Sequence, residues 1–311
     1  MNTINTEQLI NFLLSTQQEE KTIEIDLLLK QFYQHLKLHN RAGTLNSYKE
    51  SLKPLLKFFY LEKITKTHEV TSVVINKFIH QRLNLVKNQT INKSICNFKT
   101  MLNFAIKNKY IDKINFEYTK LKVTKTKIES IKESDITKII KYLQESNYSD
   151  KHKLIFMIML STGIRTTELI NIKTINIDIK KRIILLDFTK NGKYRSIFIK
   201  QELIPLLEKV YNKDNVFLFT DENGNQMTAN AIRCFFKYIK KELNIEVLSP
   251  HKVRHYYATT IYNNSLDIYL TSNLLGHSDI KMTQIYLDIN TENYQFKNDL
   301  YNPINNLTLN F

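Results

Sequence analysis

Apolar residues recur every three or four positions through most of the first third of the chain and again towards its end. This spacing puts them on one face of a helix, so it predicts amphipathic helices rather than strands. The pattern predicts four helices in the first part of the chain, over 23–38, 44–60, 71–85 and 89–108. In the second part it predicts helices from about 132 to 160 and over 229–243, 250–263, 268–275 and 280–287.

Short stretches rich in β-branched and aromatic residues occur at 182–188 and 194–199, on either side of Asn191-Gly192. An Asn-Gly pair between two such stretches indicates a β-hairpin, because both residues tolerate the positive φ of a tight turn. A further short strand is predicted over 216–219. The 311 residues include only 5 glycines and 4 prolines, too few turn formers for a β-sandwich or barrel. The predicted fold class is mainly α, with a small antiparallel β-sheet in the second half.

Positive charge is concentrated in one part of the chain. The net charge is +15, and residues 41–128 contribute +13 of it, from 18 basic and 5 acidic side chains. No acidic residue lies between Glu69 and Asp112. A lysine-rich solvated surface is one interpretation, and a nucleic-acid backbone as partner is the other, because basic side chains that neutralise phosphates release counterions. On the second interpretation, the residues predicted to contact DNA are Lys77, Arg82, Lys87, Lys93, Lys99, Lys122 and Lys125.

These patterns divide the chain into an N-terminal extension (1–22), a helical domain (23–118), a lysine-rich linker (119–130) and a second domain (131–311) that ends in a tail (291–311). The first residues lack the features of a signal peptide, and the apolar run 154–160 is too short to span a membrane. Cys96 and Cys234 lie in apolar helical patterns, which predicts two buried, reduced thiols. We expect a cytoplasmic protein without a membrane segment.

Arginine is scarce, at 7 of the 45 basic residues. A chain that prefers lysine is expected to use arginine where a planar guanidinium fork is needed, as in bidentate contact with a phosphate. Arg165 follows a turn at Gly163, directly after the apolar run, and begins a new helix. Glu168 lies one turn further on and is predicted to orient the Arg165 guanidinium. A salt bridge that is only structural would give the same pattern.

Ser249-Pro250 reads as a helix start, with serine as the cap and proline in the first turn. His251 and Arg254 are three residues apart, so both lie on one face of the first turns. The unpaired N–H groups of a helix start already favour an anion there. A titratable imidazole beside a fixed cation suits phosphoryl chemistry, although two polar residues on a helix surface could also coincide by chance.

Three more residues are ordinary when taken alone. Gly276-His277-Ser278 indicates a helix stop, an exposed histidine and a cap for the next helix. Tyr286 on that next helix could simply be core packing, since the chain has 17 tyrosines. Lys190 lies at the predicted hairpin tip, where lysines are usually just solvated, and Lys193 lies in the same turn.

In their order along the chain, Arg165, Lys190, His251, Arg254, His277 and Tyr286 resemble the complete active-site series of the tyrosine recombinase (phage integrase) family. The resemblance rests on Leu-Ser-Thr-Gly-Ile-Arg-Thr-Thr-Glu-Leu, on His-x-x-Arg-His, on Leu-Leu-Gly-His and on the tyrosine nine residues after that histidine. It covers about 130–290 closely and 23–118 more loosely. Val253 stands where the family often has leucine. Lys190 matches the position of the family's lysine better than Lys193.

The resemblance implies a two-domain clamp on double-stranded DNA, made of a helical core-binding domain and a catalytic domain. It implies that Tyr286 attacks a phosphodiester and becomes a 3′-phosphotyrosine while Arg165 and Arg254 grip the phosphate. Lys190 would protonate the departing 5′-oxygen, His251 would move the tyrosine proton, and His277 would hydrogen-bond the phosphate. No cofactor, metal or small-molecule substrate is expected, and the sequence has no carboxylate cluster or nucleotide-binding loop of its own.

The same resemblance implies a four-subunit assembly on two paired DNA sites, either a homo-tetramer or a hetero-tetramer with a paralogue, with the tail docking on a neighbouring protomer. Because 311 residues leave no room for an extra arm-binding domain, we expect a Xer-like role in chromosome dimer resolution, and so in chromosome partition and cell division. The alternatives are an integrase of a phage or mobile element, a type IB topoisomerase, and a DNA-binding regulator without catalysis.

Overall fold

The computed structural model describes residues 21–40, 42–124, 129–187 and 194–276. The chain divides into two compact units, Met1–Thr126 and Lys127–Phe311, and each has its own apolar core. The described part is mostly helical with one three-stranded antiparallel sheet, so the predicted fold class is confirmed. Among these residues, no helix is both long enough and apolar enough to cross a lipid bilayer.

The described residues of the first unit form four α-helices, all predicted from the apolar pattern: α1 (Ile25–His39), α2 (Ala42–Leu61), α3 (Ser72–Arg82) and α4 (Asn88–Lys107). Helix α4 shows why the pattern works, because its buried residues recur at helical spacing, as at Ile91, Ile95 and Phe98. The Phe98 ring meets Phe59 of α2 edge-on at 5.2 Å between centroids. Helix α2 continues through Pro54, so the chain has no helix break there.

The chain that follows α4 is tied back onto it by two asparagines. The Asn92 side chain donates to the Leu121 carbonyl oxygen and accepts from the Leu121 N–H, both at 2.9 Å. The Asn88 side chain donates to the carbonyl oxygen of Lys122 at 2.9 Å. The first residues of the predicted linker are therefore held on the first unit, while the limits proposed for the linker and the tail stay predictions.

The second unit contains seven described helices: α5 (Glu133–Glu145), α6 (Asp150–Thr162), α7 (Thr166–Leu169), α8 (Ile204–Val210), α9 (Ala229–Glu242), α10 (Pro250–Ser265) and α11 (Ile268–Leu275). Helix α6 carries the apolar run, is buried on several sides and packs on α8 and α10. The helix predicted over 280–287 lies outside the described residues. Cys234 is exposed because α9 buries only the face of Ile232 and Phe236, and Cys96 is half-buried, so the prediction of two buried thiols was wrong.

The sheet has the order β1 (Ile177–Asp178), β2 (Ile183–Leu186) and β3 (Arg195–Phe198). Strands β2 and β3 pair as the predicted hairpin, in a register that ends at Leu186 opposite Arg195. The strand predicted over 216–219 was wrong, since Phe217 forms only an isolated bridge to Lys173. This segment bonds instead to the loop after α7, with the N–H of Leu218 donating to the carbonyl oxygen of Ile172 at 2.9 Å. The Asn191-Gly192 turn lies outside the described residues.

Candidate active site

The loop between α6 and α7 places Arg165 at the start of a helix. Helix α6 ends at Gly163, whose φ of 59° is in the left-handed region that favours glycine. A Cβ atom at Gly163 would lie 2.4 Å from Cδ1 of Tyr257 on α10, so the close approach also requires glycine. Arg165 then takes the N-cap position of the one-turn helix α7, with Glu168 at its third residue.

Glu168 is 1% exposed and lies between two arginines. Its Oε1 accepts from Nη1 of Arg165 at 2.9 Å, and its Oε2 accepts from the backbone N–H of Arg165 at 3.0 Å. Oε2 also accepts from Nη2 of Arg195, on β3, at 2.7 Å. Burial alone would raise the pKa of the Glu168 carboxyl, but the charge and hydrogen bond of Arg195, followed by the bonds from Arg165, hold this pKa below its usual value. The carboxylate therefore stays ionised and fixes both guanidinium groups.

Arg254 comes to the same place from α10. The Ser249 side chain caps this helix by accepting from the N–H of Lys252 at 3.2 Å, and Pro250 follows it, as predicted. Arg254 is 3% exposed; its Nη2 donates to the carbonyl oxygen of Leu275 at 2.8 Å, and its Nη1 donates to that of Gly163. Nη1 of Arg165 lies 3.5 Å from the same carbonyl oxygen of Leu275, so the two guanidinium groups converge on the C-terminal end of α11.

His251 lies in the first turn of α10, one turn before Arg254, and is exposed. Desolvation lowers the pKa of its imidazole, and the positive charges of Arg254, Lys252 and Arg165 lower it further. The imidazole is therefore neutral at neutral pH, and it can accept a proton.

Arg195 was missed by the reasoning from sequence. Its Nη1 donates to the carbonyl oxygen of Leu274 at 2.8 Å, so it joins β3 to the end of α11 as well as to Glu168. It also packs against Gly276, where an added Cβ would lie 2.5 Å from Cδ of Arg195. A signal was present in the sequence, since Arg195 is one of the few arginines and alternates with Ile197 and Ile199 on the inward face of the strand.

The cluster of Arg165, Arg195, Arg254 and Glu168 combines three guanidinium groups with one carboxylate and so keeps an excess of positive charge. Arginine forks match the geometry of phosphate oxygens, and a partly buried site strengthens their attraction for an anion. Within the described ranges, no group of three or more His, Cys, Asp or Glu side chains could hold a metal ion. The arrangement can bind an anionic phosphate and stabilise further negative charge on it.

The structure thus brings together Arg165, Glu168 and Arg254, with His251 on the same helix as Arg254. Four other residues of the predicted site lie outside the described residues: Lys190, its alternative Lys193, His277 and Tyr286. Their roles stay predictions.

The basic residues predicted to contact DNA are spread over the first unit. Lys77 on α3 forms an ion pair with Glu62, and Nζ of Lys99 lies 5.8 Å from the centre of the Phe116 ring. Arg82, at the end of α3, is half-buried. Lys87, Lys93 and Lys122 are exposed, and Lys125 lies outside the described residues. Contact with DNA stays a prediction for this set.

Comparison with known proteins finds a phage integrase model for each of the two units. The model of the phage integrase family matches residues 129–293, and that of the phage integrase SAM-like domain matches 27–128. Tyrosine recombinase XerA of Pyrococcus furiosus is 28% identical over 192 residues, which are 60% of this chain and 66% of that protein. Tyrosine recombinase XerA of Saccharolobus solfataricus is 28% identical over 254 residues, which are 78% of this chain and 81% of that protein.

The fold is also found among solved structures. The integrase of the Tn1549 transposon, in complex with a circular intermediate DNA, superposes with a TM-score of 0.71 at 18% identity, covering 87% of this chain and 98% of that one. At this identity the likeness shows the fold alone. The catalytic-domain model spans more than half of the chain and includes every residue of the arginine cluster. The chain belongs to the phage integrase family and is therefore a tyrosine recombinase.

Proposed function

We propose that this protein is a site-specific recombinase that cuts and rejoins double-stranded DNA through a 3′-phosphotyrosine. The Tyr286 hydroxyl oxygen attacks the scissile phosphorus and gives up its proton, and the bond from phosphorus to the 5′-oxygen breaks. The leaving 5′-oxygen takes a proton from Lys190 and becomes a hydroxyl. Attack by a 5′-hydroxyl on the phosphotyrosine reverses these steps. One phosphodiester is exchanged for another of similar energy, so the reaction needs no cofactor.

The observation that carries this proposal is the convergence of Arg165 and Arg254. Their guanidinium groups meet at the carbonyl oxygen of Leu275, from which Nη2 of Arg254 is 2.8 Å and Nη1 of Arg165 is 3.5 Å. In our proposal both groups bind the non-bridging oxygens of the scissile phosphate. Negative charge grows on these oxygens as the pentavalent transition state forms, and donors already fixed in place stabilise it without reorganising.

His251 and Glu168 have supporting roles in the same scheme. The lowered pKa of His251 keeps its imidazole neutral, so it can take the proton that Tyr286 must lose. A tyrosine hydroxyl has a pKa of about 10 in water, so attack at neutral pH requires such an acceptor. Glu168 binds Arg165 through both its oxygens and so limits the guanidinium to one orientation. His277 would add a hydrogen bond to the phosphate.

For the biological role we propose Xer-like resolution of chromosome dimers, by a tetramer on two paired sites that includes either four copies of this chain or a paralogue. The names of the two relatives support it, since both are tyrosine recombinases XerA. Its substrate would be chromosomal DNA in the cytoplasm. Integration of a mobile element is the second candidate, and the family to which the chain belongs, the phage integrase family, favours it by its name.

Covalent trapping on DNA tests the chemistry. The parent protein is expected to form a denaturation-resistant adduct with DNA, and Tyr286→Phe is expected to form none because it lacks the nucleophilic oxygen. Tyr269→Phe, at an exposed position of α11, is the matched control and should keep the adduct. An adduct that persists in Tyr286→Phe would contradict the choice of nucleophile. No adduct from the parent would support a DNA-binding regulator.

Mapping the trapped sites on host genomic DNA separates the biological roles. Chromosome dimer resolution predicts adducts at one chromosomal locus, whereas integration predicts adducts at the ends of a mobile element. Relaxation of a supercoiled plasmid without the mapped site would indicate a topoisomerase instead.

A further inference from the structure

We infer that Arg195 is a positioning residue for phosphoryl transfer, holding Arg165 and the end of α11 in their working places. This inference rests on the proposed function, because it takes the phosphate to be bound by Arg165 and Arg254. Arg195 itself is 12% exposed and acts through its neighbours rather than on the DNA.

The Arg195 guanidinium joins β3 to two other elements, helix α7 and the end of α11. One of its terminal nitrogens binds Oε2 of Glu168 at 2.7 Å, and the other binds the carbonyl oxygen of Leu274 at 2.8 Å. A planar fork makes both bonds in one fixed geometry, which the single ammonium of a lysine would not reproduce. Strand β3, helix α7 and the end of α11 are thereby locked to one another.

Each of these two hydrogen bonds holds a residue that is in contact with, or next to, a group that takes part in the proposed reaction. Glu168 holds Arg165 through its other oxygen at 2.9 Å, so a shift of Glu168 would move that guanidinium. Leu274 lies next to Leu275, whose carbonyl oxygen binds Arg254, and Gly276 directly precedes His277 in the sequence. The stem of Arg195 packs so closely on Gly276 that a Cβ there would approach its Cδ to 2.5 Å. The loss of Arg195 would therefore loosen Arg165 and the start of the segment that carries His277 together.

The remaining nitrogen of Arg195 supports a role in function rather than in stability alone. Its Nε is buried and has no hydrogen-bond partner among the described residues. A buried donor without a partner destabilises a fold, so stability alone does not favour this geometry. The geometry is explained if the two terminal nitrogens must face Glu168 and Leu274, which leaves Nε against Gly276.

The test compares Arg195→Ala with the parent in single-turnover cleavage of a nicked duplex that carries the mapped site. We expect the rate of adduct formation to fall by about 10²-fold, because a displacement near 1 Å has that effect on a positioned catalytic group. DNA affinity should change little, because both described hydrogen bonds of the Arg195 fork go to Glu168 and Leu274, so in this inference it acts through them. Arg195→Lys should form the adduct at a rate between those of the parent and Arg195→Ala, because lysine keeps the charge beside Glu168 but not the guanidinium fork. Arg233→Ala, at an exposed position of α9, is the matched control and should cleave at the parent rate.

A second substrate separates positioning from a structural role. In a methylphosphonate at the scissile position, one charged oxygen is replaced by a neutral methyl group, so the arginines have less charge to stabilise. If Arg195 acts through Arg165, the defect of Arg195→Ala should become much smaller on this substrate, as should that of Arg165→Ala. Equal defects on both substrates, or full activity of Arg195→Ala on the phosphodiester, would overturn the inference.

If Arg195→Ala fails to fold, as judged by its melting temperature, Arg195→Lys is compared on the two substrates in the same way. Absence of an adduct from the parent would overturn the proposed chemistry together with this role. An active parent whose Arg195 defect is independent of the substrate would overturn this role alone.

Discussion

Replacing Glu168 by glutamine tests the electrostatic centre of the site. The carboxylate is 1% exposed and accepts hydrogen bonds from Nη1 and the backbone N–H of Arg165 and from Nη2 of Arg195. Glutamine keeps the shape but removes the negative charge, so both guanidinium groups lose their counter-ion. Breaking a buried ion pair from one side destabilises a fold by roughly 3–5 kcal/mol. Water still reaches both arginines, which are 19% and 12% exposed, so we expect the low end, about 3 kcal/mol.

The loss of folding stability in Glu168→Gln should be larger at neutral pH than in acid. The pKa of Glu168 is lowered in the folded protein, so the carboxylate contributes stability above the unfolded pKa, and this contribution is lost as pH falls through the folded pKa. The difference between the parent and Glu168→Gln should therefore be full at neutral pH and shrink in acid. Glutamine does not titrate, so it shows no such loss.

Hydrogen exchange in the full chain measures this effect, because it reports each of the two units separately. Amides of α6 should exchange about 10²-fold faster in Glu168→Gln, which corresponds to about 3 kcal/mol. Glu145→Gln is the matched control, since Glu145 forms an exposed pair with Lys141 at 3.9 Å, and such pairs contribute at most about 0.5 kcal/mol. A loss below about 1 kcal/mol for Glu168→Gln, or a loss that does not vary with pH, would refute the reasoning.

Two further predictions concern the loop before Arg165 and the titration of His251. Gly163→Ala should lower the melting temperature more than Gly224→Ala: both positions have positive φ, but only at Gly163 would the new Cβ meet a side chain, 2.4 Å away. Equal losses would mean that this contact does not matter. The pKa of His251, followed by NMR, should lie below its ordinary value and should rise in Lys252→Gln, which removes one of the cations that lower it. The acid limb of the pH–rate profile for cleavage should then lie at higher pH in Lys252→Gln than in the parent. An unchanged acid limb would show that His251 is not the proton acceptor.

Local pattern predicted most of the helices and the hairpin of β2 and β3, but it missed helix α8 and the third strand of the sheet. Helical spacing predicts α4 because its apolar face is visible in the sequence itself. The segment 216–219 has the composition of a strand, yet Leu218 pairs with Ile172 in a loop, and the short strand β1 takes the third place in the sheet. Strand pairing depends on which segments the fold brings alongside, and composition does not encode that.

For the site, the sequence by itself determined the family, because Arg165, His251 and Arg254 stand in motifs whose order and spacing resemble its active-site series; their catalytic roles stay predictions. The tertiary structure decided how they are held. Glu168 was predicted to orient Arg165, but its second partner, Arg195, comes from a strand 27 residues further along the chain. A motif records residues that are close in sequence, whereas Arg195, the cation that lowers the pKa of this carboxyl most, meets it only after β3 has come to lie beside α7.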